Sequence, residues 1–246
     1  MRIDDSRTIE VVAHRGANGV APENTRAAVA RCLDFGVDVI ELDVRSSLDG
    51  ELYNLHDATL DRTTDGRGPA RFRRAAYIDR LDAGSWFAPE FAGERVPRIR
   101  DLIEEFRGRM KFFLDIKSGS LRRIVRIIRE MGIAGDTFVW FADPLKERRF
   151  RRRAPEVALK VNVASPGEIA SKALPRGARL VECGTASLSE ELVAEAHRNG
   201  LRVMANCGAA GEEAFERVIA AGADLVNLDR PQDFARFVGY GGEHGA

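Results

Sequence analysis

The chain has 246 residues, 44% hydrophobic and 31% charged, enough to bury a sizeable core without disulfides or zinc. Its 38 Lys+Arg balance 38 Asp+Glu, which argues against a nucleic-acid sleeve or an anionic-membrane binder, since both work through a positive excess. Three scattered cysteines (Cys32, Cys183, Cys207) exclude a disulfide framework and suit a reducing cytoplasm. The first residues carry acids where a signal peptide has an apolar core, and no apolar run approaches membrane-spanning length.

In chain order, short β-branched runs predict strands over 8–13, 37–44, 110–116, 136–141, 156–161, 179–182, 201–205 and 223–228. Helical periodicity fills most intervals, over 24–35, 98–107, 121–131, 189–199 and 211–221. Gly36, Gly132, Gly200 and Gly222 each precede a strand and read as left-handed helix caps. Strands separated by helices pair in parallel, because the crossover needs a dozen residues. Eight such units in this length predict an α/β fold, a (β/α)8 TIM barrel. A doubly wound open sheet is the alternative, but no Gly-rich phosphate fingerprint follows the first strand.

One interval breaks the rhythm. Between His56 and Val96 turn residues dominate, which predicts a small insertion after strand 2, over 57–97, lying across one mouth of the barrel. No internal repeat or interdomain linker occurs, so residues 1–246 read as a single barrel domain, with a Gly-rich tail over 239–246 expected to fray.

In a parallel barrel, chemistry collects at the C-terminal ends of the strands. Strand 1 ends in His14-Arg15-Gly16, strand 2 in Glu41-Leu42-Asp43, and strand 3 in Asp115-Ile116-Lys117, while His56-Asp57 follows strand 2. Glu41 and Asp43 are spaced i, i+2 and face one way, with Ile40, Leu42 and Val44 facing the other. The apolar set must meet the helices, leaving both carboxylates toward the barrel axis. Like charges so placed repel unless a cation sits between them. With Asp115, the three carboxylates form an oxygen-only set suited to one hard divalent cation, Mg2+ or Ca2+. The plainer reading is a structural network with nearby arginines. His14 and His56 are candidate acid–base catalysts, and Arg15 and Lys117 could neutralise a phosphate, unless they pair with Glu23 or Asp57. Glu23-Asn24-Thr25 reads first as a helix N-cap. His197 fits a cation at a helix C-terminus. The 148–153 arginine run reads as a solvated helix end, and Trp86-Phe87 as the insertion's own small core.

Together His14-Arg15-Gly16, Pro22-Glu23-Asn24-Thr25, Glu41-Leu42-Asp43-Val44, His56-Asp57, Leu60-Asp61-Arg62-Thr63-Thr64, Asp82-Ala83-Gly84, Pro97, Asp115-Ile116-Lys117 and Gly222-Ala223-Asp224 to Asp229-Arg230-Pro231 resemble the glycerophosphodiester phosphodiesterase family. The resemblance spans nearly the whole chain in order. It implies a TIM barrel with an insertion, and metal-dependent hydrolysis of a small-molecule glycerophosphodiester to sn-glycerol 3-phosphate and an alcohol. By the same resemblance His14 and His56 are the general acid and base, Glu41, Asp43 and Asp115 hold the divalent ion, and Arg15 and Lys117 bind phosphate. Two readings stand beside hydrolysis. One is a phospholipase D-like lyase that releases a cyclic phosphate. The other is a catalytically weak relative that binds phosphodiesters. The expected location is cytoplasmic, with no nucleic-acid partner and no stable membrane insertion; the sequence does not fix an oligomeric state. The family usually has Glu where Asp115 stands, and often a Trp-Thr pair near the end of strand 7, where this chain reads Met204-Ala205-Asn206-Cys207.

Overall fold

The computed structural model describes residues 1, 3 and 8–240. Eight parallel strands close into a barrel: β1 (Glu10–Ala13), β2 (Val39–Ser46), β4 (Lys111–Ile116), β5 (Thr137–Phe141), β6 (Ala158–Asn162), β7 (Leu180–Gly184), β8 (Arg202–Gly208) and β9 (Leu225–Leu228). β1 pairs with both β2 and β9, which shuts the barrel. The helices alternate with them: α1 (Arg26–Asp34), α3 (Ile99–Phe106), α4 (Leu121–Glu130), α5 (Pro144–Arg153), α6 (Glu190–Arg198), α7 (Glu212–Ala221) and α8 (Pro231–Phe237). The exception is β6 to β7, joined by the single turns Ile169–Ala173 and Leu174–Arg176. The (β/α)8 TIM barrel expected from the alternation is the fold.

The period-2 reading explains the core. On every barrel strand one set of side chains, such as Ile40, Leu42 and Val44 on β2 or Val203, Ala205 and Cys207 on β8, packs into one large cluster with the helices. The alternate set fills the barrel, where Val12, Val39, Phe113, Leu180, Met204 and Leu225 form an apolar plug. Two residues further along each of those strands the side chain becomes polar: His14, Glu41, Asp115, Glu182, Asn206 and Asn227. The barrel is thus dry below and polar at its C-terminal end, a division set by the alternation of side chains along each strand.

Helix ends obey local chemistry. Thr25 caps α1, its hydroxyl accepting the Ala28 N–H at 3.2 Å, a contact worth about 1 kcal/mol. Gly36, Gly132, Gly200 and Gly222 all adopt positive φ, as expected of caps. The arginines of the 148–153 run form the last turns of α5.

Two features differ from the sequence expectation. First, β2 runs past the barrel rim and pairs antiparallel with a three-residue strand, β3 (Leu52–Asn54), too short to leave a periodic signal. Second, the stretch from β3 to α3 is not featureless: it holds α2 (Ala75–Ile78) and two single turns, Ala70–Phe72 and Pro89–Phe91, around a small cluster of Tyr53, Leu55, Leu60, Ile78, Leu81 and Val96. Trp86 and Phe87 stand outside that cluster, edge to face with each other, with Trp86 exposed. Tyr240 is held by a hydrogen bond to Ala235 O, whereas residues 241–246 of the tail expected to fray lie outside the described residues.

Candidate active site

The turn after β1 is the first element of the site. His14 sits at its start, and Arg15 and Gly16 both take left-handed backbone, φ 61° and 84°. Gly16 is required there: a Cβ would approach Ala28 Cβ to 2.8 Å, so only glycine lets the turn lie against α1. Arg15's conformation costs about 1 kcal/mol or more, and the contacts of its side chain with the carboxylates help offset it, Nε lying 3.8 Å from Asp43 and Nη1 3.1 Å from Glu23.

Glu41, Asp43 and Asp115 converge as the i, i+2 spacing predicts. All three are buried, and one oxygen from each lies within 4.8 Å of the others. Glu41 Oε2, Asp43 Oδ1 and Asp115 Oδ1 are buried without a hydrogen-bond partner. Burial, with Asp43 and Asp115 adding to it, pushes the Glu41 carboxyl up to about 8. Burial likewise raises Asp115 against the opposing pull of Lys117. Lys117 bonds Asp115 and stands 3.3 Å from Asp43 Oδ1; those two charges hold its ammonium above its usual range despite burial. Oxygen-only donors, orphaned and mutually repelling at this spacing, fit a hard divalent cation. Asp43 is further oriented by Asn24, which donates Nδ2–H to its Oδ2 at 3.0 Å, and by Asn54, whose Oδ1 accepts the Asp43 N–H at 2.8 Å. Asn24 itself holds φ 60°, and Thr25 rather than Asn24 makes the cap.

The two histidines stand differently. His14 bonds Asp229 through Nδ1 at 2.5 Å, leaving Nε2 directed to the mouth, 3.7 Å from Glu41. Burial opposes protonation of His14, but the Asp229 hydrogen bond and the Glu41 charge outweigh it and raise its pKa; the same bond lowers that of Asp229. Asn18 completes the clasp, donating to Asp229 and to the His14 carbonyl. His56 follows β3, which carries it back toward β2; its carbonyl accepts a 2.7 Å bond from Arg45 Nε. Its Nδ1 meets Asp57 at 2.9 Å, Asp57 accepts from Arg62, and Arg62 also grips Glu23, the partner of Arg15. That chain of charges links His56 to Arg15 and keeps the Asp57 carboxyl well below its ordinary range, Arg62 being the main cause.

His14, Glu41, Asp115 and Lys117 therefore share one cavity of about 190 Å3 at the C-terminal mouth. Asp43 and Arg15 adjoin it through Lys117 and the carboxylates, while His56 does not line it and is tied to it by the Asp57–Arg62–Glu23 network. The rest of the cavity is walled by Trp140, Lys160, Glu182, Asn206 and Asn227, of which the sequence reading touched only Asn206, in the stretch that stands where the family often has Trp-Thr. Their signal was available in the alternation: each occupies the inward-facing set of a strand whose outward set is apolar. His197 bonds Asp224 at the far end of α6 and takes no part.

Fold and site together define a (β/α)8 barrel with an acidic, histidine-flanked mouth. The chain belongs to the glycerophosphoryl diester phosphodiesterase family, whose model matches residues 14–232. It is similar to a glycerophosphodiester phosphodiesterase of Caldanaerobacter subterraneus, 31% identical over 94% of this chain and 98% of that protein. Among solved structures it is similar to a glycerophosphodiester phosphodiesterase from Agrobacterium tumefaciens, with 35% identity, a TM-score of 0.87, and coverage of 93% of this chain and 100% of that one. An Oleispira antarctica phosphodiesterase, in complex with its product sn-glycerol-3-phosphate, is similar at 25% identity and TM-score 0.84, covering 94% of this chain and 96% of that one.

Proposed function

We propose that this protein hydrolyses glycerophosphodiesters to sn-glycerol 3-phosphate and an alcohol, using one divalent cation, Mg2+ or Ca2+, and two histidines. The observation that carries the reading is the convergence of three buried carboxylates with unpartnered oxygens beside His14, Arg15 and Lys117. Family membership and the product complex of the Oleispira relative support it.

Glu41, Asp43 and Asp115 would hold the cation, which supplies Lewis-acid offset of the phosphate's negative charge. A phosphodiester is anionic and repels nucleophiles, so Arg15 and Lys117 bind its free oxygens and lower that barrier. One imidazole takes the proton from the nucleophile as the new P–O bond forms. The other gives its proton to the alkoxide oxygen as the old P–O bond breaks, because an alkoxide of ordinary alcohol basicity cannot depart unprotonated at neutral pH. Asp229 fixes the His14 ring through Nδ1, and Asp57 does the same for His56. We read 1–246 as one catalytic domain with 57–97 as its insertion. The three thiols, all free, suit a reducing compartment such as the cytoplasm.

The test is turnover of a set of glycerophosphodiesters and a chromogenic bis-aryl phosphodiester, with and without a chelator. Activity that survives full removal of divalent metal rejects the role of the carboxylate triad. His14→Ala and His56→Ala should each lose about 10²–10⁴-fold in kcat while melting as cooperatively as wild type; wild-type rates in either remove that residue from the mechanism. Phosphorus NMR of the product separates hydrolysis from cyclic-phosphate release, and tight binding without turnover points to a binding relative.

A further inference from the structure

The zero net charge of the chain hides an uneven distribution. From Gly66 to Ile78 the insertion carries four arginines, Arg67, Arg71, Arg73 and Arg74, and no acid. All four are exposed, and among the described residues none of them forms an ion pair. By contrast Arg15, Arg62, Arg98 and Arg123 all meet carboxylates. Arg73 grips the Arg67 carbonyl, which leaves its charge unopposed. Asp49 is close enough to feel the charge of Arg74, but its Oδ1 is engaged by the Ser47 hydroxyl and the Ala75 N–H.

Amid these cations Phe72 is 60% exposed. Leu48, 57% exposed, is bound next to the strip, its N–H donating to Arg73 O at 2.8 Å. Neither belongs to the insertion's small core. A lone apolar residue in water needs no explanation; two of them ringed by unpaired arginines on a braced strip do. The bracing is backbone hydrogen bonding, from Ala70 N to Ala58 O and from Leu60 N to Gly68 O, each 3.0 Å. Those bonds fix the strip to the segment just after His56-Asp57, and Leu48 and Asp49 fix it to the turn between β2 and β3. Because β2 overruns the barrel rim before that turn, the patch stands at the mouth end of the molecule.

We propose that Leu48, Phe72 and the four arginines form a docking surface for an anionic lipid bilayer. The two apolar side chains enter the boundary between headgroups and acyl chains, and the guanidinium groups meet the lipid phosphates. The docking is peripheral, since no described helix is long and apolar enough to cross a membrane. Attraction to a charged bilayer fades within about 10 Å at 0.1 M salt, so the local patch decides binding although the whole chain is neutral. A second copy of the chain is disfavoured, because a two-fold contact would set the arginines against their own counterparts. A nucleic acid offers phosphates too, but stacking needs free ring faces. The Arg71 guanidinium already lies 4.6 Å from the Phe72 centroid, and Leu48 has no ring.

The test is co-sedimentation of the full chain with vesicles of phosphatidylcholine, alone or mixed with phosphatidylglycerol. Wild type should bind the mixed vesicles about 100-fold more tightly, and lose about tenfold or more when salt rises from about 0.1 to 0.5 M. Arg71→Ala/Arg74→Ala should weaken binding about 25-fold, at about fivefold per arginine. Phe72→Ser should weaken it about tenfold at every salt concentration, as loss of an inserted ring requires. All three positions are exposed, so both variants should melt with wild type and turn over a soluble bis-aryl phosphodiester at its rate. Vesicle binding is read without turnover, so this proposal and the phosphodiesterase reading fail separately. Equal binding to both kinds of vesicle overturns the docking surface, as does unchanged binding in either variant. Binding of duplex or single-stranded DNA as tight as that of vesicles, and indifferent to Phe72→Ser, overturns it in favour of a nucleic acid. A dimer in vesicle-free solution that Phe72→Ser dissolves overturns it in favour of a second copy.

Discussion

Glu41→Gln isolates the reason for the carboxylate cluster. In chelated protein Glu41 is a buried acid beside Asp43 and Asp115, and its carboxyl titrates at about 8 instead of near its ordinary 4.5. Because the folded value is raised, the stability this group contributes is fully present below about 4.5 and is lost as pH rises through about 8. The amide has the same shape and never ionises. At pH 8 in chelator wild-type Glu41 is half ionised in the folded protein and fully ionised in the unfolded chain, so the amide should stabilise the protein by on the order of 4 kcal/mol, the free energy of a shift from 4.5 to about 8. At about 2–4 °C per kcal/mol for a chain of this length, Tm should rise by about 8–16 °C. Near pH 5 the advantage should shrink to about 1 kcal/mol, since folded wild-type Glu41 is then neutral too. Adding millimolar Mg2+ or Ca2+ should narrow the gap at pH 8 and put wild type ahead near pH 5: saturation at 100 times Kd adds about 2.7 kcal/mol to wild type, and the variant lacks a ligand. Thermal melts on a grid of pH, chelator and divalent ion read all three effects. If wild type and variant melt together from pH 5 to 8 in chelator, or gain equally from divalent ion, the cluster is not a cation site.

Asn24 can be divided into its two jobs. Asn24→Gly keeps the left-handed backbone and deletes the bond to Asp43, whereas Asn24→Ala loses both and should cost about 1 kcal/mol more in stability. Both should weaken divalent binding by about 10-fold or more in calorimetric titration, as expected for loss of an orienting partner; wild-type affinity in the glycine variant would restrict Asn24 to its backbone role. Burial pushes the thiols of Cys183 and Cys207 up to about 11 and about 12, and Cys32 higher still. At pH 8 iodoacetamide should therefore label none of the three until denaturant is added, and rapid native labelling followed by mass spectrometry would contradict their burial.

The sequence determined more of this protein than its catalytic spacing. Alternating runs and Gly caps fix the order of strands and helices because both follow from local backbone chemistry. The i, i+2 pair at Glu41 and Asp43 fixes their shared direction because a strand's period leaves no other choice. What it could not contain is whatever depends on neighbours distant in the chain. β3 exists because β2 overruns the barrel rim and offers it an edge, and three residues have no period of their own. Asp229 becomes the partner of His14 only when the last strand closes against the first, 215 positions away. Lys160, Glu182, Asn206 and Asn227 are unremarkable one at a time, and closure of the barrel sets them in one cavity with Glu41 and Asp115. Local periodicity chose which way each side chain faces; tertiary closure chose what each one faces, because hydrogen bonds and ion pairs act over a few ångströms of space, whatever the separation along the chain.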